Sequence, residues 1–154
     1  MTHLLAFDPG GTTGWSYWHY DATTPLTLLE QGQIPGGIYG FGRWLRANRD
    51  RVVDEIVSES FVNDDRTEKP EETAKWIEGA IMAWWGGDGV PVIWQRNTYK
   101  AHANDDFLKQ HGLYVKGQRH ARDSIRHAVA SLKVRKHAPT FRRFWPRRTL
   151  AAAS

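Results

Sequence analysis

Leu4-Leu5-Ala6-Phe7-Asp8-Pro9-Gly10-Gly11-Thr12-Thr13-Gly14-Trp15 opens the chain with an apolar run that stops on a carboxylate and then turns through three glycines. A strand with an apolar interior and a terminal aspartate projects that carboxylate past the sheet edge, where it can meet others and bind a hard cation. The small residues after Asp8 let the backbone curl tightly, so a metal-bound phosphate can approach without meeting side chains. An aspartate capping an ordinary hairpin turn would have the same local sequence.

Outward from this stretch, Thr2 to Asp8, Trp15 to Tyr20 and Leu26 to Ile34 read as an antiparallel meander of three strands. Ile38, Phe41, Leu45 and Val52 follow helical spacing and predict a helix from Gly37 to Arg51. Val52 to Ser58 is β-branched and apolar, as a buried central strand is, and Glu59 stands at its end. Pro70 suits the first turn of a second helix, which Ala74, Ile77, Ile81 and Trp84 continue to Gly86-Gly87. Its tryptophans Trp76, Trp84 and Trp85 can pack on the sheet or serve a contact between two copies. Val90 to Trp94 predicts another short strand, Asp105 to His111 a short helix, and His120 to Lys133 a last helix. The stripe of that last helix is Ala121, Ile125, Ala128, Val129 and Leu132, and Pro139 and Pro146 should break regular structure beyond it. The order β-β-β-α-β-α-β-α is an α/β fold, a mixed sheet flanked by helices.

The 154 residues, 40% hydrophobic and 25% charged, suit one domain with a real core. Phosphate-facing turns like the one after Asp8 occur in sugar kinases and actin-like ATPases, but those bind nucleotide between two large domains, and this length cannot supply the second. No apolar stretch approaches the roughly 20 residues of a membrane span, and no cleavable leader is evident, so a soluble cytoplasmic protein is expected. With no cysteine, any metal must be held by carboxylates, imidazoles, carbonyls and water, which favours magnesium or manganese over structural zinc.

The net charge of +4 hides an asymmetry. Residues 1–115 carry 10 Lys/Arg and 16 Asp/Glu, whereas residues 116–154 carry 11 Lys/Arg and one acid. A basic segment on an acidic domain suits a protein that grips a polyanion with one surface and holds cations on another. Lys116, Arg119, Arg122, Arg126 and the tail containing Arg142 and Arg143 are the candidate phosphate contacts, with Lys100 further upstream. Phe141, Phe144 or Trp145 could stack on unpaired bases. A solubilising tail is the plainer alternative.

Glu59 needs either a strand-end position or a partner, because an unpaired carboxylate between two layers of helices is costly. Ligation of a metal satisfies it, and so would pairing with an arginine such as Arg43 or Arg96. His120 and Asp123, three residues apart, share a helix face and could reach one ion if the helix start overhangs the sheet edge. Periodicity alone would leave that face solvated. His127, one turn further, reads as a histidine supporting the ligands or lying on the surface.

Ala6-Phe7-Asp8-Pro9-Gly10-Gly11-Thr12-Thr13-Gly14-Trp15, Val57-Ser58-Glu59 and His120-Ala121-Arg122-Asp123-Ser124 together resemble the RuvC-type Holliday junction resolvases, in order and spacing across nearly the whole chain. The likeness is to short phage-encoded members, and Trp94-Gln95, Lys100 and Gly112-Leu113-Tyr114 resemble their connecting region. It implies a ribonuclease H-like mixed five-stranded sheet flanked by helices, with a nuclease domain over 1–138 and a basic tail over 139–154. It also implies a homodimer acting on branched DNA, the four-way junction, with Asp8, Glu59, His120 and Asp123 as catalytic residues and metal ligands. Two magnesium or manganese ions roughly 3.5–4 Å apart would clamp the scissile phosphate, one activating water and one stabilising the leaving 3′ oxygen. Many cellular members carry aspartate where this chain has His120. A histidine there resembles the RuvC-like domains of CRISPR effector nucleases, and an imidazole favours manganese relative to magnesium. His120 could instead shuttle a proton. Two alternatives to a resolvase remain: a less selective nuclease of the same fold acting on flaps, forks or RNA-containing duplexes, and a catalytically silent DNA-binding protein.

Overall fold

The computed structural model describes residues 1–61 and 72–147. Its five strands are β1 (Thr2–Asp8), β2 (Thr13–Tyr20), β3 (Thr27–Ile34), β4 (Glu55–Glu59) and β5 (Val92–Gln95). They form one sheet in the order β3-β2-β1-β4-β5. β1, β2 and β3 pair antiparallel, and β1, β4 and β5 pair parallel. This is the mixed five-stranded sheet expected from the sequence. β2 starts earlier than Trp15, because the β1–β2 hairpin pairs right up to Asp8 opposite Gly14.

Alternation along the strands divides the core into two layers. Leu5, Phe7 and Ile56 meet Phe41 and Leu45 of α1 (Gly37–Ala47) and Ile77 and Ile81 of α2 (Glu72–Trp84). Leu4, Ala6 and Val57 meet Ile125, Ala128, Val129 and Leu132 of α4 (Arg119–Val134), beside α3 (Asp105–Gln110). Asp8 and Glu59 continue the Leu4-Ala6 and Val57 series, so period-2 geometry directs both carboxylates to the α4 side of the sheet.

Several boundaries moved. α1 ends at Ala47 rather than Arg51, because Asn48 caps it: the Asn48 amide and Nδ2 both donate to the Trp44 carbonyl, at 3.0 and 2.9 Å. Arg51 instead lies over the Tyr17 ring and pairs with Glu30. β4 begins at Glu55, since Val52 is exposed. The expected α2 start at Pro70 falls outside the described residues. Of the three tryptophans, Trp85 packs against Phe7, whereas Trp76 and Trp84 face solvent.

The expectation that Pro139 breaks regular structure is overturned. Pro139 lies in the first turn of α5 (Ala138–Phe144), where its missing N–H would have had no intrahelical partner. α5 joins the core through Phe144, and Thr140 Oγ1 accepts a hydrogen bond from the Leu26 amide at 2.8 Å. The start of the expected tail is therefore part of the domain's packing, and residues 148–154 lie outside the described residues. Among the described residues, no helix is long and apolar enough to cross a membrane.

Candidate active site

Parallel register sets the first two carboxylates side by side: Phe7 pairs with Ser58, so Asp8 and Glu59 stand one residue further along neighbouring strands. Strands in a sheet lie roughly 4.8 Å apart, close enough for two ionised carboxylates to repel. The start of α4 is brought over this strand end. A Cβ on Gly14 would fall 1.8 Å from the His120 carbonyl oxygen, so only glycine lets the helix approach β2 this closely. Gln33, paired in register with Gly14, accepts a hydrogen bond from the His120 amide at 3.0 Å and caps the helix from the sheet. Sequence reading had missed Gln33, and an amide one residue from a strand end carries no signal for that role.

Asp8, Glu59, His120 and Asp123 thus line one cavity of about 230 Å³, together with the 9–12 loop, Phe61, Lys100 and Arg119. His120 Nδ1 lies 3.0 Å from Asp8 Oδ2. Asp123 Oδ1 accepts from Arg126 Nη1 at 2.7 Å, and Arg126 also holds Asp105 and the Ala103 carbonyl. Glu59 is paired, but with neither Arg43 nor Arg96. His127 Nε2 lies 3.0 Å and Lys100 Nζ 3.3 Å from its Oε2. Lys100 Nζ also stands 3.2 Å from Asp123 Oδ2.

His127 is fully buried, its other ring nitrogen 2.7 Å from Gln95 Oε1 on β5. It therefore supports Glu59 from beneath rather than standing on the surface. Most of the polar face of α4 is not solvated: Asp123, Ser124, His127 and Ser131 are buried, while His120 at its start stays partly open. The 3-10 segment Asn97–His102 and the ends of β4 and β5 cover it.

Burial raises the Asp8 carboxyl to about 6, with the hydrogen bond from His120 opposing and the charges of Glu59 and Asp123 adding to the rise. Burial pushes Glu59 the same way, but hydrogen bonding from His127 and Asp8 and the charge of Lys100 outweigh it and hold Glu59 at about 2. The hydrogen bond to Asp8 raises His120 above its ordinary value, against burial. Burial lowers Lys100, but the charges of Glu59, Asp123 and Asp8 overcome this and leave it raised. The site is a cluster of negative charge already answered in part by protein cations.

Three carboxylates and an imidazole with no thiolate form the hard donor set that suits magnesium or manganese, so the chemistry of the residues fits such an ion. Among the described residues, no three acidic, imidazole or thiol groups are drawn together closely enough to hold one ion. Lys100, Arg126 and His127 occupy the carboxylate oxygens instead.

The expected phosphate contacts divide. Lys116, Arg119, Arg142 and Arg143 are exposed. Lys100, Arg122 and Arg126 are turned inward: Arg122 donates to the Val115 carbonyl and lies over Tyr114, and Arg126 is held as above. Lys100, Arg119, Arg122, Asp123 and Arg126 also line an adjoining cavity of about 450 Å³. Phe141 and Trp145 border a larger, apolar hollow of about 840 Å³ rimmed by Lys136, Arg142 and Arg147, whereas Phe144 is buried.

No protein family and no curated protein matches the chain by sequence. Solved structures do match by shape. Thermus thermophilus RuvC in complex with Holliday junction substrate superposes with a TM-score of 0.68 at 15% identity, covering 90% of this chain and 98% of that one. Thermus thermophilus RuvC alone gives 0.63 at 17% identity, over 88% and 96%. Fowlpox virus resolvase in complex with substrate Holliday junction DNA gives 0.62 at 13% identity, over 85% and 99%. At these identities the likeness establishes the fold, the RuvC-type, ribonuclease H-like sheet with its flanking helices.

Proposed function

We propose that the chain is a divalent-metal-dependent endonuclease that resolves Holliday junctions or related branched DNA. The observation that carries this reading is the convergence of Asp8, Glu59, His120 and Asp123 from β1, β4 and α4 on one cavity of a RuvC-type fold. Asp8, Glu59, Asp123 and His120 would hold the cations, which supply charge to a scissile phosphate and activate water. Asp8 and Glu59 bring charge from the sheet, and α4 brings Asp123 and His120 from above. His127 and Gln95 fix the Glu59 carboxylate so that it meets the ion without reorganising.

Exposed Lys116, Arg119, Arg142 and Arg143 would contact phosphates, and Phe141 and Trp145 would stack on unpaired bases. Arg122 and Arg126 shape the site from within. A homodimer would present two sites to the near two-fold symmetry of a four-way junction.

The test incubates the purified protein with a labelled four-way junction, a flap and a linear duplex, in magnesium or manganese, beside Asp8→Asn. Paired symmetric nicks in the junction, lost in the variant, are expected. Equal cutting of all three substrates would indicate a general nuclease of the same fold, and binding without cutting would leave a DNA-binding protein.

A further inference from the structure

Basic residues run along α4 away from the strand-end cavity. Arg119, Arg126 and Lys133 recur every seven residues, and a helix drifts only about 20° over that interval, so the three share one face. Arg119 borders the acidic cavity and Arg126 the adjoining one. Lys133 stands near the other end of the helix, its ammonium 3.3 Å from His102 Nδ1 and 4.7 Å from the centre of the Trp145 ring. Trp145 in turn lines the hollow of about 840 Å³ on α5, with Phe141 and Pro146 as further apolar lining and Lys136, Arg142 and Arg147 as its cations. Among the described residues, no acid lines it. Because α4 is 16 residues long, its two ends lie about 24 Å apart, the length of about 7 base pairs of duplex.

The chemistry of the hollow selects its occupant. Bases inside a duplex hide their faces in the stack, so duplex calls for cations but not for an apolar floor. An unpaired strand offers phosphates and open base faces together, and aromatic side chains set among cations suit both. Phe141, 40% exposed, presents such a ring. Trp145 is braced by Phe107, stacked on it at 5.1 Å, and so loses little freedom when a base packs beside it. The volume lies in the upper part of the roughly 300–1,000 Å³ of pockets that enclose drug-sized molecules, which leaves room for more than one base.

Resting on the proposed nuclease reading, we infer that the hollow on α5 is a single-strand subsite, and that the preferred branched substrate has an arm that becomes single-stranded about 7 base pairs from the cut. The line from Arg119 to Lys133 sets the path of the backbone, and the hollow takes the first unpaired bases. A fully paired junction fills the cavity and leaves the hollow without a base.

Fluorescence anisotropy tests this on the full chain, with calcium in place of magnesium so that nothing is cut. One probe is a four-way junction with four paired arms; the others are the same junction with either strand of one arm removed beyond about 7 base pairs from the crossover. The native protein should bind one of the single-stranded-arm junctions about tenfold or more tightly than the paired one, and Phe141→Ala should remove most of that preference. Iodouracil in the single-stranded arm should crosslink to α5 on irradiation, as mass spectrometry reads. Equal affinity of the native protein for all the junctions, or crosslinks only outside α5, would overturn the subsite, while cleavage of any junction in manganese keeps the nuclease reading standing. A labelled acidic peptide carrying phenylalanine that binds the native protein, loses its site in Phe141→Ala and is not displaced by the single-stranded arm would overturn it in favour of a protein partner. Neither binding nor cleavage of any junction would overturn both readings. Chemical unfolding shows whether Phe141→Ala is folded, and Arg147→Ser replaces it if it is not.

Discussion

Replacing Asp8 with asparagine should stabilise the metal-free protein while abolishing its proposed activity. Asp8 is 5% exposed, and its carboxyl is raised from 3.8 to about 6 by burial and by the neighbouring charges of Glu59 and Asp123. A carboxyl whose folded value lies above its unfolded value favours folding only while protonated. Its ionised form therefore costs stability above about pH 6, and the cost fades as pH falls toward 3.8. The shift of about 2.2 units corresponds to about 3 kcal/mol at pH 8, and the same linkage leaves about half of that at pH 5. Asparagine is neutral, keeps the shape and can still accept from His120, so it escapes the cost. Urea unfolding in chelator at pH 8 and pH 5 measures it, and for a chain of this size about 3 kcal/mol is roughly 6–12 °C in melting temperature. Adding magnesium or manganese should raise the native midpoint and leave the variant's unmoved. A variant no more stable than the native protein at pH 8, or an advantage that grows as pH falls, would refute the reasoning.

Gly14→Ala should cost about 2–3 kcal/mol or more, because its Cβ would sit 1.8 Å from the His120 carbonyl and force α4 off β2; an unchanged unfolding midpoint would count against that close approach. His127→Ala should cost about 2–4 kcal/mol in the same assay, since it opens a buried hole and leaves Glu59 and Gln95 without their partner. His120→Asp should shift cleavage from manganese toward magnesium, and equal or better cleavage by the native protein in magnesium across a concentration series would sink the ligand-softness argument. Exchanging Arg142 and Arg143 for serine should lower the slope of log binding constant against log salt by about 2, as measured by fluorescence anisotropy on a labelled junction.

What the sequence made legible was whatever period or chain punctuation records. Asp8 and Glu59 each end an apolar run, and their positions at the strand ends follow directly. The stripe of α4 was legible for the same reason, and all five of its residues are buried. The opposite face of α4 was not, because helical periodicity reports polarity rather than what lies opposite. His127 and Asp123 look like a solvated face until the 97–102 segment and the ends of β4 and β5 close over them. The inward partners of Lys100, Arg122 and Arg126 were hidden for a related reason: a basic residue reads as surface unless its buried acid or carbonyl partner is known. Pro139 misled because proline both breaks helices and starts them, and only tertiary packing decides which.

The contact between Gly14 and the His120 carbonyl also bears on when in the life of the chain its chemistry can begin. Asp8 and His120 are 112 residues apart, and His120 and Asp123 join the two strand-end carboxylates only after α4 has seated against the finished hairpin. During synthesis the hairpin emerges first and α4 much later, so a nascent or partly unfolded chain carries the acidic residues without a working arrangement of them. Closing so long a loop is among the slower events in folding. The full set of four side chains therefore exists only in the finished fold, and an incomplete copy carries them apart.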